Sequence, residues 1–124
     1  MKIQESAENY LETILMIKNT KGHVRSIDIA NELGFTKPSV SVAMKHFREE
    51  GFVTVNPDGE IILTEKGLEI AQRIAERHNT IAKMLIKLGV DTDTAYSDAC
   101  KMEHDISDVT FEKMKLFIEN EDQK

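Results

Sequence analysis

The chain has 124 residues, 40% hydrophobic and 31% charged, with a formal net charge of -6 and a single cysteine. These values describe a globular protein of one domain, or of a small domain with a helical extension, and exclude a disordered chain. The start, Met1 to Ser6, has no apolar core, and the greasiest run, Ile81 to Leu88, is broken by Lys83 and Lys87, so no signal peptide or membrane span is expected and the expected location is the cytoplasm.

Ala7, Tyr10, Leu11, Ile14 and Ile17 recur with a 3.6-residue period, which predicts a first helix from about Ser6 to Asn19, ending before Gly22. Its other face carries Glu5, Glu8, Asn9 and Glu12. Taken alone, those side chains read as a solvated face whose charges suit the helix dipole.

Ser26 is the expected N-cap of a short helix from Ile27 to Leu33, with Gly34 as its stop. Thr36 is the expected N-cap of a second helix from Lys37 to Glu50, where Pro38 sits in the first turn and its missing N–H costs nothing. Two short helices joined by a glycine-containing turn make a helix-turn-helix. The outer face of the second helix carries Ser39, Ser41, Val42, Lys45 and Arg48, small, hydroxylated and then basic, a surface suited to a major groove. The net acidity argues against a phosphate-rich partner, but the acid gathers at the chain ends while Lys37, Lys45 and Arg48 cluster here.

Phe52 to Val55 and Glu60 to Leu63 are β-rich runs separated by Asn56-Pro57-Asp58-Gly59, a hairpin with strong turn chemistry. Helix, helix-turn-helix and hairpin, in that order, make a winged helix. The expected DNA-facing set is therefore Ser26, Thr36, Lys37, Pro38, Ser39, Ser41, Val42, Lys45 and Arg48, with Asn56 and Asp58 on the wing.

Thr64 then caps a long helix, expected from about residue 65 to 88, that carries the chain into a second helical region. That region is expected to hold helices from about Asp93 to Asp105 and from Ser107 to Asn120. The expected division is a winged helix over 1–70 and a helical metal-binding and dimerisation domain over 71–124, mainly α with a small β-hairpin. Ala95, Ala99, Met102, Ile106, Phe111, Met114, Leu116, Phe117 and Ile118 form more apolar surface than so few helices bury alone, and dimerisation is the simplest outlet.

Cys100, Glu103 and His104 stand at i, i+3 and i+4 in this region, so on a helix they share one face. A thiolate, a carboxylate and an imidazole together read as half of a transition-metal site. A lone cysteine forms no internal disulfide and stays available as a ligand. His78 and the Asn9, Glu12 pair are the nearest candidates for the missing ligands. Singly, His78 reads as a satisfied histidine and Cys100 as a small buried hydrophobe; the cluster behind a winged helix carries the metal reading. His23 and His46 belong to no such cluster.

Asn9-Tyr10-Leu11-Glu12-Thr13-Ile14, Lys37-Pro38-Ser39-Val40-Ser41, Leu63-Thr64-Glu65-Lys66-Gly67, Arg77-His78 and Asp98-Ala99-Cys100-Lys101-Met102-Glu103-His104 together resemble the diphtheria-toxin-repressor family of iron- and manganese-dependent repressors. The resemblance runs from about Ser6 to Glu119. It implies a cytosolic homodimer whose winged helix binds operator DNA when Fe2+ or Mn2+ joins that domain to the dimerisation helices, at metal-uptake genes. The implied ligands are Asn9, Glu12, His78, Cys100, Glu103 and His104, for one or two ions per subunit. Asn9 stands where iron-type members have Met and manganese-type members have Asp. Ala82 and Tyr96 stand at two positions that complete an ancillary site in iron-type members. With the chain stopping at Lys124, the architecture resembles the short, two-domain manganese regulators, whereas Cys100 matches the iron type.

A thiolate with imidazole favours Fe2+ over the harder Mn2+, so Fe2+ is the expected effector, with Mn2+ as the alternative. Two other functions are compatible with parts of this pattern. One is a winged-helix regulator of a small organic ligand. The other is a metal-dependent hydrolase with Glu103 as general base, which would leave every feature before Thr64 unexplained. No enzymatic activity, organic substrate or membrane partner is expected.

Overall fold

A computed structural model describes residues 5–122, so residues 1–4 and 123–124 of the two expected domains lie outside the described residues. The element order is α1 (Glu5–Lys21), α2 (Ser26–Leu33), α3 (Lys37–Glu49), β1 (Val53–Val55), β2 (Ile61–Leu63), α4 (Glu65–Lys87), α5 (Thr92–Met102) and α6 (Asp108–Asp122). The protein is mainly helical with one two-stranded antiparallel sheet. Two compact units divide the chain, the first ending at Gln72 and the second beginning at Arg73, both within α4.

In the first unit α1 buries Tyr10, Leu11, Ile14 and Ile17, the periodic stripe read from the sequence. They pack with Ile29 of α2, Val40, Met44 and Phe47 of α3, and Phe52, Val53 and Ile61 of the hairpin. Burying aliphatic and aromatic side chains of this size contributes roughly 1.5–3 kcal/mol each. Tyr10, Phe47 and Phe52 form an edge-on chain with ring centroids 5.5 and 6.4 Å apart.

The helix-turn-helix is built by its caps. Gly34 ends α2 at φ 71°, a left-handed conformation that glycine adopts without cost. Thr36 caps α3 as expected, its hydroxyl oxygen accepting from the Ser39 N–H at 3.3 Å. The expected cap at Ser26 is corrected: Ser26 is already helical and Arg25 is the N-cap residue, with φ -127° and ψ 166°. The Asp28 carboxylate three residues on accepts from the Arg25 N–H at 2.9 Å, the reach-back half of a capping box.

That hydrogen bond holds the Asp28 carboxyl below the usual carboxylate range, helped by Lys21 at 3.2 Å. A carboxyl whose folded pKa is depressed adds stability above its unfolded pKa of about 4 and loses it as pH falls through the lower folded value. Asp28→Ala should therefore cost about 1 kcal/mol at pH 7, with the difference from wild type closing below about pH 4. Urea midpoints measured across that range check it.

The hairpin pairs Val53 with Leu63, Thr54 with Ile62 and Val55 with Ile61. The Gly59 N–H donates to the Asn56 carbonyl at 2.8 Å, closing the four-residue turn. The Ile61 N–H donates to the Val24 carbonyl at 2.8 Å, which ties the wing to the segment before α2. Thr64 caps α4, accepting from the Gly67 N–H at 3.2 Å and donating to the Gly51 carbonyl at 2.6 Å. A Cβ at Gly67 would collide with the Phe52 carbonyl, so only glycine admits this approach of helix to hairpin.

In the second unit Ile81, Ala82 and Ala99 form a small core, with Leu85, Met102, Ile106 and Met114 packed against it. The helix expected to reach Asp105 stops at Met102. Residues 103–105 form a turn, tightened by the Asp105 N–H donating to the Met102 carbonyl at 3.0 Å. α6 opens after Ser107, whose hydroxyl accepts from the Thr110 N–H at 3.2 Å.

Candidate metal centre and nucleic-acid interface

Three elements of the second unit carry the metal-ligand candidates. α4 carries His78, the last turn of α5 carries Cys100, and the turn after α5 carries Glu103 and His104. Glu103 keeps helical dihedrals and its N–H donates to the Ala99 carbonyl at 3.0 Å, so the i, i+3 phase from Cys100 survives to Glu103 although the helix has ended. His104 belongs to the turn.

Glu103 is only 2% exposed. His104 Nε2 lies 3.4 Å from Glu103 Oε1, with the imidazole as deeply buried as the carboxylate. A donor atom of His78 lies within 4.8 Å of a Glu103 carboxylate oxygen. Carboxylates are almost never buried unless paired or ligating, because desolvating the charge costs several kcal/mol. A buried carboxylate between two imidazoles is a donor set that fits a divalent transition metal.

His78 is oriented by the backbone. Its Nε2 lies 2.9 Å from the Tyr96 carbonyl, an acceptor only, so Nε2 donates there. A histidine whose second nitrogen donates to a carbonyl is the usual support for a ligating imidazole. The Tyr96 ring meets the His78 ring edge-on at 5.7 Å. Tyr96 therefore serves His78 through its main chain, a role that its side-chain type does not reveal.

Cys100 is half-buried. Among the described residues neither Cys100 nor His104 joins a group of three or more His, Cys, Asp or Glu donor atoms that all lie within 4.8 Å of one another. Asn9 and Glu12 stand one turn apart on α1 of the first unit, both half-buried.

The DNA-facing candidates all lie in the first unit. Thr36, Lys37, Pro38, Ser39, Ser41, Val42, Lys45 and Arg48 are exposed at the start and along the outer face of α3, with Val42 58% exposed. Asn56 and Asp58 are exposed on the wing turn, and Ser26 is half-buried. Asp58 is engaged within the wing. Its Oδ1 accepts from the Glu60 N–H at 3.2 Å, and its Oδ2 lies 3.5 Å from Arg25 Nη2. Arg25, a cation between α2 and the wing, was not read from the sequence, where a lone arginine before a helix gives no signal.

Residues 2–61 match the family described as iron dependent repressor, N-terminal DNA binding domain, and residues 64–123 match iron dependent repressor, metal binding and dimerisation domain. An uncharacterised HTH-type transcriptional regulator of Methanocaldococcus jannaschii is 38% identical over 119 residues, 94% of this chain and 95% of that protein. The chain belongs to the iron-dependent repressor family. It is thus one of a family of metal-dependent, DNA-binding transcriptional repressors that dimerise, and not of enzymes. The repressor is also 31% identical over 121 residues to the transcriptional regulator MntR of Escherichia coli, 98% of this chain and 78% of that one. Among solved structures, the manganese regulator SloR superposes with a TM-score of 0.78 at 26% identity, over 96% of this chain and 55% of that one. The fold and family expected from the motifs are borne out. No helix among the described residues is long and apolar enough to cross a membrane.

Proposed function

We propose that this chain is a cytoplasmic, homodimeric repressor in which Fe2+ or Mn2+ fastens the DNA-reading unit to the dimerisation unit and so favours operator binding, at genes of metal uptake. The observation that carries this reading is the buried Glu103 carboxylate beside His104 and His78, in the region matched as metal binding and dimerisation. His78, Cys100, Glu103 and His104 would hold the ion from the second unit, and Asn9 and Glu12 from the first. The ion would supply a chelate that lowers the free energy of one arrangement of the two units.

Two recognition helices of a dimer must stand ~34 Å apart to enter successive major grooves, so fixing the angle between units fixes operator affinity. A nearly complete switch requires roughly 10⁴-fold preference of the metal for the DNA-competent arrangement. On the DNA side, Lys37, Lys45 and Arg48 would neutralise phosphates. Ser39, Ser41 and Val42 would meet base edges, and Ser26, Thr36, Pro38, Asn56 and Asp58 would frame the contact.

The choice of metal turns on Cys100. If its thiolate ligates, the donor set is softer and Fe2+ is preferred; with Asn, Glu and His donors alone, Mn2+ fits as well. SloR is named a manganese regulator, whereas the matched family is named for iron. Anaerobic titration with Fe2+, Mn2+ and Co2+ decides between them, and the expected result is thiolate-to-metal charge-transfer absorption with Co2+ that Cys100→Ser abolishes. A DNA response to Mn2+ alone would reverse the iron preference.

The rival reading as a sensor of an organic ligand predicts instead that DNA switching survives in a Cys100→Ala, Glu103→Ala variant.

A further inference from the structure

We propose that Arg77 is a positioning residue for the metal site: its guanidinium holds the turn bearing Glu103 and His104 in register with His78. The inference rests on the metal reading above and adds a residue that is not itself a ligand.

Arg77 is only 8% exposed. Its Nη2 donates to the Ile106 carbonyl at 3.0 Å and its Nη1 to Asp108 Oδ1 at 3.0 Å, while the guanidinium lies over the Phe111 ring at 5.1 Å. Every one of these partners lies between residues 106 and 111, within a few residues of the two ligand candidates. Burying a guanidinium costs desolvation that a methionine or leucine of similar volume would avoid, so packing alone does not account for an arginine here. Its planar fork fixes direction as well as distance, which a flexible ammonium does not.

The next residue on α4, His78, reaches in a different direction, to the Tyr96 carbonyl on α5. Two adjacent residues of one helix therefore grip the segment on either side of Glu103 and His104, upstream at Tyr96 and downstream at Ile106 and Asp108. Continued helix would bind the Ile106 carbonyl along its own axis, whereas here that carbonyl is drawn to Arg77. Asp108 is the first residue of α6, so the same guanidinium links the ligand turn to the helix whose outer face bears Val109, Leu116 and Phe117.

The test uses the full chain, metal-free and titrated anaerobically with Co2+, in wild type, Arg77→Met, Arg77→Lys and Asp108→Ala. Arg77→Met keeps the buried stem and loses the donors. It is expected to weaken Co2+ binding on the order of 10-fold, to change the absorption of bound Co2+, and to speed amide exchange at residues 103–107 in the metal-free protein. Arg77→Lys should recover part of the affinity. Asp108→Ala, at a side chain 93% exposed, removes the acceptor without opening the core and should weaken binding a few-fold; it decides the matter should Arg77→Met fail to fold. Unchanged Co2+ affinity and spectrum in a folded Arg77→Met protein, or in Asp108→Ala where Arg77→Met is unfolded, would overturn the inference. Wild type that binds no Co2+ would instead remove the metal reading, and Arg77 as its support with it.

Discussion

Glu103→Gln is expected to abolish metal-dependent operator binding while leaving the metal-free protein folded. The substitution keeps the shape of a side chain that is 2% exposed and removes its charge. Glutamine keeps the volume and a carbonyl acceptor at the same place, so the metal-free variant should still unfold in one cooperative transition. The metal loses an anionic ligand, and affinity should fall by on the order of 100-fold or more, beyond the 10–100-fold typical of outer-shell changes. Calorimetric titration with Fe2+ or Mn2+ beside thermal melting reads both effects. A variant that kept its metal response would take Glu103 out of the site.

Phe117→Asp is expected to have a comparable effect by a different route. Val109, Leu116 and Phe117 recur at i, i+7 and i+8 along α6 and are 70%, 50% and 48% exposed. Large apolar side chains gathered on one helix face mark an interaction surface, in a region matched as a dimerisation domain. An aspartate there would meet an apolar partner surface. The sedimented mass should fall from dimer to monomer at micromolar concentration, and operator affinity should drop roughly 10²–10⁴-fold whether or not metal is present, because the second half-site is no longer tethered. The monomer should stay folded, since the side chain is half-exposed in the isolated chain. An unchanged mass would move the dimer interface elsewhere.

The winged helix was legible because its determinants are local. Thr36 and Pro38 announce the start of α3, Asn56-Pro57-Asp58-Gly59 announces the wing turn, and the apolar period of α1 survives into its buried face. The Arg25 cap was legible in principle. Asp28 stands three residues after Arg25, the spacing of a reach-back carboxylate, but Ser26 is the stronger intrinsic cap and drew the assignment.

The second unit was legible in composition more than in geometry. Cys100, Glu103 and His104 were singled out by spacing, and the structure keeps Glu103 in phase while releasing His104 into a turn. The turn after α5 is held from a distance: the Ile106 carbonyl bonds to Arg77, 29 positions away. No window of sequence around residue 105 contains that information. Tyr96 likewise acts on His78 through its carbonyl, which every residue type possesses.

The central claim is that metal bound through His78 and Glu103 governs operator affinity. It is tested most directly by measuring, under anaerobic reduction, the binding of wild type and His78→Ala to a duplex selected from random sequence by the metal-loaded protein. Wild type should bind that duplex tightly with Fe2+ and at least about 100-fold more weakly with chelator, a coupling at the upper end of ordinary allostery, while His78→Ala should bind weakly in both conditions. Equal affinity of both proteins, with and without metal, would contradict the account.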